Sequence, residues 1–315
     1  METLRMSKNQ LALNVLLAFL NLVRMRIVVM VLVACSIGFI LAYRGDFPLS
    51  CFLWTLLGTA LVTGGACALN CYMEREADAI MPRTCRRPIP AGTISPSSAL
   101  VFGIALVLTG CLSLFAKINI LAGLLGSALV FIYLAIYTPA KRLTWMNTSI
   151  GALPGAIPPL IGWASARGQI DPGGWVLFAM LFVWQHTHFF PIAWLYKDDY
   201  QKAGFRVLPV LESKGEKTFL LTVLSAVALL PISMLLYGAD FTGFAYCIGS
   251  ALGGIALIAA GIRLSRRPSR AAAQAVLVLS LFYLPVILAA VVVDRYGPQL
   301  VNYLHAWLEP VWRWT

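Results

Sequence analysis

Long apolar runs separated by short polar segments dominate the chain. They cover residues 27–43, 49–71, 97–115, 118–137, 148–166, 173–196, 218–238, 243–263 and 272–293. A helix needs about 20 apolar residues to cross roughly 30 Å of hydrocarbon, so each run is the length of one crossing. The pattern predicts an all-α integral membrane protein with nine spans, and residues 27–293 read as one membrane domain without a soluble insertion. Residues 1–26 carry LALNVLLAFLNLV between basic flanks. That segment is expected to be an interfacial amphipathic helix rather than a leader peptide, because no small-residue cleavage site follows and the next apolar run begins at once. Residues 294–315 are expected to form a C-terminal tail.

Composition agrees with this pattern, with 60% hydrophobic and only 12% charged residues. The distribution of charge adds an orientation. Of 24 lysines and arginines, 19 lie in the N-terminal segment or in loops after even-numbered runs; the other five are Arg44, Lys117, Arg167, Arg295 and Arg313. By the positive-inside rule the N-terminus and the even loops face the cytoplasm, which in a bacterial-type cell makes this an inner-membrane protein. The net charge of +11 is then explained mainly by topology and anionic headgroups of the lipid bilayer, and it calls for no nucleic-acid partner. The seven cysteines form no CxxC pair and give no redox or metal signal.

The chemistry concentrates where the second run ends. Asn70, Glu74 and Asp78 stand at four-residue intervals, which on a helix are about 40° apart and so share a face. A carboxamide and two carboxylates are hard donors suited to Mg²⁺, a cation usually held by one or two carboxylates together with substrate phosphates. Arg83, Arg86 and Arg87 follow at once. Acids for a metal beside bases for an anion form a layout that can bind and ionise a diphosphate. Solvated charges at an ordinary helix end would look similar.

Three further segments bear on this choice. WLYKDDYQKAGFRVLPV places Asp198 and Asp199 directly after the sixth run, at the position that Glu74 and Asp78 hold after the second. A weak duplication of four helices would set the two acidic clusters facing each other across a cavity. YTPAKRLTWMN brings Lys141 and Arg142 to the same side, either as topological anchors or as phosphate contacts. GALPGAIPPLIGWAS holds three prolines within a span, so a kinked or broken helix is expected there. Within the sixth run, WQHTHFF contains Trp184, Gln185, His186 and His188. Histidines at i and i+2 point to different faces and cannot readily share a metal ion. The surrounding aromatic residues could line a pocket for a large flat or polyisoprenoid ligand, although interfacial aromatic packing is the commoner use.

The segments MPRTCRRPIPAG, YTPAKRLTWMN with GAIPPLIGWAS, and WQHTHFFPIAWLYKDDYQKAGFRVLPV are similar, in order and spacing, to those of the UbiA superfamily of intramembrane prenyltransferases, in particular its heme-modifying branch. The resemblance implies a nine-helix bundle around a central cavity, with two acidic motifs under a cytoplasmic cap. It implies that Asn70, Glu74 and Asp78 hold Mg²⁺ and the diphosphate, with Asp198 and Asp199 as the second acidic motif. Arg83, Arg87 and Lys141, with Arg142 beside them, would neutralise phosphate oxygens. His188 would contact heme, with Gln185 and Trp184 next to it. The implied reaction is transfer of a farnesyl group from farnesyl diphosphate to a vinyl group of heme B with addition of water. Heme-copper oxidase assembly proteins or heme A synthase are the implied partners. Glu74 stands where many relatives have aspartate, Thr187 where proline is usual, and Arg24-Met25 where lysine-proline is usual. A prenyltransferase acting on a quinone precursor, or a secondary transporter with broken helices, remains an alternative at this stage.

Overall fold

The computed structural model describes residues 8–212 and 214–312, with side chains described between 13 and 297. Arg5 and Arg313, counted above for orientation, lie outside the described residues. Every regular element among those described is helical. The order is α1 (Lys8–Leu22), α2 (Met25–Ala42), α3 (Leu49–Met73), α4 (Arg75–Ile80), α5 (Pro96–Lys117), α6 (Ile120–Phe131), a π-helical segment (Ile132–Tyr137), α7 (Thr138–Leu143), α8 (Asn147–Arg167), α9 (Pro172–Leu195), α10 (Lys197–Lys202), α11 (Leu208–Leu211), α12 (Glu216–Gly238), α13 (Phe244–Arg266) and α14 (Arg270–Trp312). Asp294 and Arg295 therefore continue α14, and the boundary expected after residue 293 falls inside that helix.

Among the described residues, eight helical stretches are long and apolar enough to cross a membrane, and α6 through α7 form one of them. The ninth expected span, α8, has the length but not that apolarity. Its prolines, glycines and hydroxyl residues lower the hydropathy. Fourteen of its 21 residues are buried, so its neighbours rather than its own side chains shield it from lipid. Despite Pro154, Pro158 and Pro159, α8 remains a single helical element. It presses directly on α2: a Cβ on Gly38 would lie 2.0 Å from the carbonyl oxygen of Pro159, and one on Gly162 would lie 2.0 Å from that of Cys35. Only glycine permits backbones this close, the packing that replaces the hydrophobic effect inside lipid.

Neighbour relations repeat along the chain. α2 packs on α3, α3 on α5, α5 on α6 and α6 on α8; in the same order α8 packs on α9, α9 on α12, α12 on α13 and α13 on α14. A duplication of the kind read from the loops would give this order, as would any bundle whose consecutive helices are neighbours. Each run has one corner where a single non-helical residue splits a long helix from a short acidic one, Glu74 (φ −96°, ψ 9°) between α3 and α4 and Tyr196 (φ −118°, ψ 24°) between α9 and α10. α1 lies against α3 and α5, burying Ala18 and Leu22 with Ala68, Cys71 and Ala99 while leaving Leu13, Leu16, Leu17 and Leu20 exposed.

Candidate active site

The α3–α4 corner buries its polar groups and pairs each with a cation or a hydroxyl. Asn70 is fully buried; its Oδ1 accepts from Arg24 Nη2 at 3.2 Å and its Nδ2 donates to Thr138 Oγ1 at 3.0 Å. Glu74, 6% exposed, meets Lys141 Nζ at 2.6 Å. Asp78, also fully buried, takes Arg87 Nη1 on both oxygens at 2.7 Å. The Asp78 carbonyl accepts from Thr84 Oγ1 at 2.8 Å, which folds the following loop back over the corner. A buried carboxylate without such partners would be costly by several kcal/mol. The single-residue break at Glu74 leaves the four-residue rhythm intact, since Glu74 N donates to Asn70 O and Asp78 N to Glu74 O, at 2.9 and 2.8 Å.

Local structure explains how partners so distant in sequence arrive. The π turn before α7 frees the carbonyl of Tyr133 to accept from both the amide and the hydroxyl of Thr138. With its proton committed there, the Thr138 hydroxyl offers a lone pair to Asn70. The same turn stacks Tyr133 near Tyr137, with centroids 5.4 Å apart, and Tyr137 lies 4.6 Å from Lys141 Nζ. Tyr133 and Tyr137 keep part of their surface accessible although protein surrounds them, as walls of a recess would. π turns recur at functional sites because they displace side chains from the helical register.

Arg24, a basic anchor in the sequence at a position where the family pattern has lysine, also belongs to this cluster. It is the link between α1 and α2 and adopts a left-handed conformation, φ 53° and ψ 61°. For a non-glycine residue that strain is of order 1–3 kcal/mol, and it turns the guanidinium inward. Burial opposes its charge, but Cys71, Tyr133, Cys67 and Glu74 outweigh that and hold its pKa above the ordinary arginine value. Its Nε is buried and unpartnered, a spare donor beside the acids. In the sequence it shows as a basic residue at the mouth of the first span and as a departure from the family's lysine, neither of which names its partners.

The α9–α10 corner is looser. Asp199 lies 3.8 Å from Arg83 Nε, and Arg83 stands over the rings of both Tyr196 and Tyr200 at 4.9 and 4.7 Å. Arg83 thereby joins the two acidic corners. Ala77 and Met81 pack with Ala203 and Phe205 beneath it, and Arg206 N donates to Lys141 O at 2.7 Å. Asp198 and Arg142 are exposed and make no pair among the described residues.

No group of three His, Cys, Asp or Glu side chains converges as a closed metal cage among the described residues. The donor set at the α3–α4 corner instead fits Mg²⁺, which takes one or two carboxylates from protein and completes its shell with water and substrate phosphate. Asn70 retains a second lone pair on Oδ1 beyond the one used by Arg24.

The two histidines of α9 part company as their spacing requires. His186 Nδ1 meets the Phe182 carbonyl at 2.8 Å and its Nε2 meets Ser149 Oγ at 2.9 Å, so both ring nitrogens are used. His188 turns toward α14, where Nδ1 meets Ser280 Oγ at 2.8 Å. Its ring is stacked on Trp184, with centroids 5.2 Å apart and planes at 12°. Gln185 donates to the carbonyls of Ala152 and Leu181, and its amide lies where a Cβ on Gly155 would be, which ties α9 to α8.

The UbiA prenyltransferase family model matches residues 31–291. A protein from Solibacter usitatus named protoheme IX farnesyltransferase is 38% identical over 288 residues, covering 89% of this chain and 99% of the relative. One of the same name from Sorangium cellulosum is 41% identical over 256 residues, covering 79% and 89%. Among solved structures, one described for digeranylgeranylglyceryl phosphate synthase superposes with a TM-score of 0.74 at 20% identity over 90% of this chain and 99% of its own. A UbiA homologue from Archaeoglobus fulgidus bound to GPP and Mg²⁺ gives 0.66 at 16% identity, covering 87% and 99%. These two solved structures bear on the fold alone. With most of its length matched by the family model and by relatives well above 30% identity, the chain is a multi-pass membrane protein that belongs to the UbiA prenyltransferase family.

Proposed function

We propose that the protein transfers a farnesyl group from farnesyl diphosphate to a vinyl group of protoheme IX with addition of water, giving heme O and diphosphate. The observation that carries this reading is the α3–α4 corner, where Asn70, Glu74 and Asp78 are buried and matched one to one by Arg24, Lys141 and Arg87. That array exchanges partners without stranding a charge. With a metal-bound diphosphate in place, the acids would hold the metal and the bases the phosphate oxygens, so the desolvation cost of each buried ion would stay offset. The relatives named protoheme IX farnesyltransferase and the matching WQHTHFF block favour heme over a quinone precursor as acceptor.

In this reading Asn70, Glu74 and Asp78 would hold Mg²⁺, with Asp199 and the exposed Asp198 approaching from the second corner. Mg²⁺ supplies neutralisation of charge on the departing diphosphate. Lys141, Arg87, Arg83 and Arg24 stabilise the same oxygens as the C1–O bond breaks, Arg142 lies at the rim, and the allylic cation is left beside Tyr137. The heme vinyl group attacks C1, and water then takes the porphyrin-side cation. Trp184, Gln185 and His188 form the acceptor side. The active corner faces the cytoplasm, on the side to which most basic residues are assigned. Helix α1 is the described part of the interfacial segment, residues 1–7 lying outside the described residues, and heme A synthase or oxidase assembly proteins are the expected recipients of product.

The test is release of diphosphate from farnesyl diphosphate by purified protein in lipid nanodiscs. Release that requires both heme B and Mg²⁺ is expected. Equal release with a hydroxybenzoate or chlorophyllide in place of heme would refute the acceptor assignment, and no release with any acceptor would refute prenyl transfer.

A further inference from the structure

The two α9 histidines differ in one atom's freedom, and the difference traces to α14. Ser280 Oγ donates its proton to the Leu277 carbonyl at 2.8 Å. What it offers His188 at 2.8 Å is therefore a lone pair, and Nδ1 of the neutral imidazole must carry the hydrogen. That fixes the tautomer: His188 Nε2 bears an unshared pair, and no hydrogen bond among the described residues uses it. The same serine also holds the neighbouring ring, since Trp184 Nε1 donates to the Ser280 carbonyl at 2.9 Å. Ser280 is fully buried, so water does not compete for these bonds. A histidine whose far nitrogen is pinned by an acceptor, stacked on an indole and free at Nε2, has the arrangement that orients imidazole ligands toward a metal. His186 lacks it, because Ser149 occupies its Nε2.

We infer that Ser280 is the positioning residue of the acceptor site, holding His188 as the Nδ1–H tautomer so that Nε2 faces the iron of a bound heme. The inference rests on the proposed heme-binding role of His188 and goes beyond it by naming what sets the geometry. Ser280 acts through His188 and Trp184 and touches no substrate.

The test compares Ser280→Thr with Ser280→Val, side chains of nearly equal shape that differ in the hydroxyl. Full-length protein in nanodiscs is titrated with heme B, and the iron–histidine stretch of the ferrous complex is read by resonance Raman. Threonine should keep the wild-type stretch and affinity. Valine should lower the stretch and weaken heme binding about 10–100-fold. Should Ser280→Val not accumulate, Ser280→Ala makes the same comparison. A wild-type stretch in the hydroxyl-free variant, or equal shifts in both variants, overturns the role of Ser280. His188→Ala separates the two claims: loss of the iron–histidine signature there upholds the heme reading whatever Ser280 does, and its persistence overturns both.

Discussion

The α3–α4 and α9–α10 corners occupy equivalent places in the two runs of helices, but their carboxylates live in different surroundings. Glu74 and Asp78 are buried and closely paired, whereas Asp198 is exposed and Asp199 stands 3.8 Å from its arginine. Burial makes the first pairing compulsory, because removing one partner leaves an uncompensated charge. Near solvent the second pairing contributes about 0–1 kcal/mol and exchanges readily. One scaffold thus carries a fixed corner and an adaptable one. The fixed corner suits a pre-set binding site, and the adaptable corner suits an element that rearranges when substrate enters.

The largest test of that contrast is Asp78→Asn, which keeps the volume and removes the charge. Turnover by a diphosphate-release assay should fall about a thousandfold, the scale for losing a preorganised electrostatic group, with membrane insertion retained. Next is stability. Lys141→Met strands Glu74 and should cost about 3–5 kcal/mol in denaturant unfolding, while adding Glu74→Gln to the same protein should return most of it. Asp199→Asn should lower turnover about tenfold to a hundredfold, since it removes an acid but no buried pair. Smallest of all are the stability effects near solvent: Arg83→Met and Asp198→Asn should each cost less than about 1 kcal/mol, while Asp198→Asn should lower turnover less than Asp199→Asn does. Equal losses at Asp78 and Asp198 would erase the distinction between the corners.

The spans were legible in the sequence because hydrocarbon thickness imposes a length that apolar runs report directly. α8 matches the ninth expected span in length but not in apolarity, and it is buried by α2, α6 and α9. The shared face of Asn70, Glu74 and Asp78 followed from helical periodicity. Their partners did not. Arg24 is 46 residues from Asn70 and Lys141 is 67 from Glu74, and no local pattern encodes such a meeting. Spacing separated His186 from His188, but which one keeps a free nitrogen depends on Ser149 and Ser280, on other helices. IYLAIY reads as ordinary apolar sequence, so the π turn it forms could not be anticipated.

That π turn also sets how the gene can change length. One residue deleted from Ile132–Tyr137 would let an ordinary α-helix run through the segment, with the register of the flanking helices nearly kept but the carbonyl of Tyr133 returned to the regular helical ladder. Thr138 would then lose its hydroxyl acceptor at Tyr133, and with it the arrangement that offers a lone pair to Asn70. A deletion within a regular α-helical stretch would instead turn the residues beyond it by about 100°, so shortening the π segment separates loss of the site's support from loss of the helix.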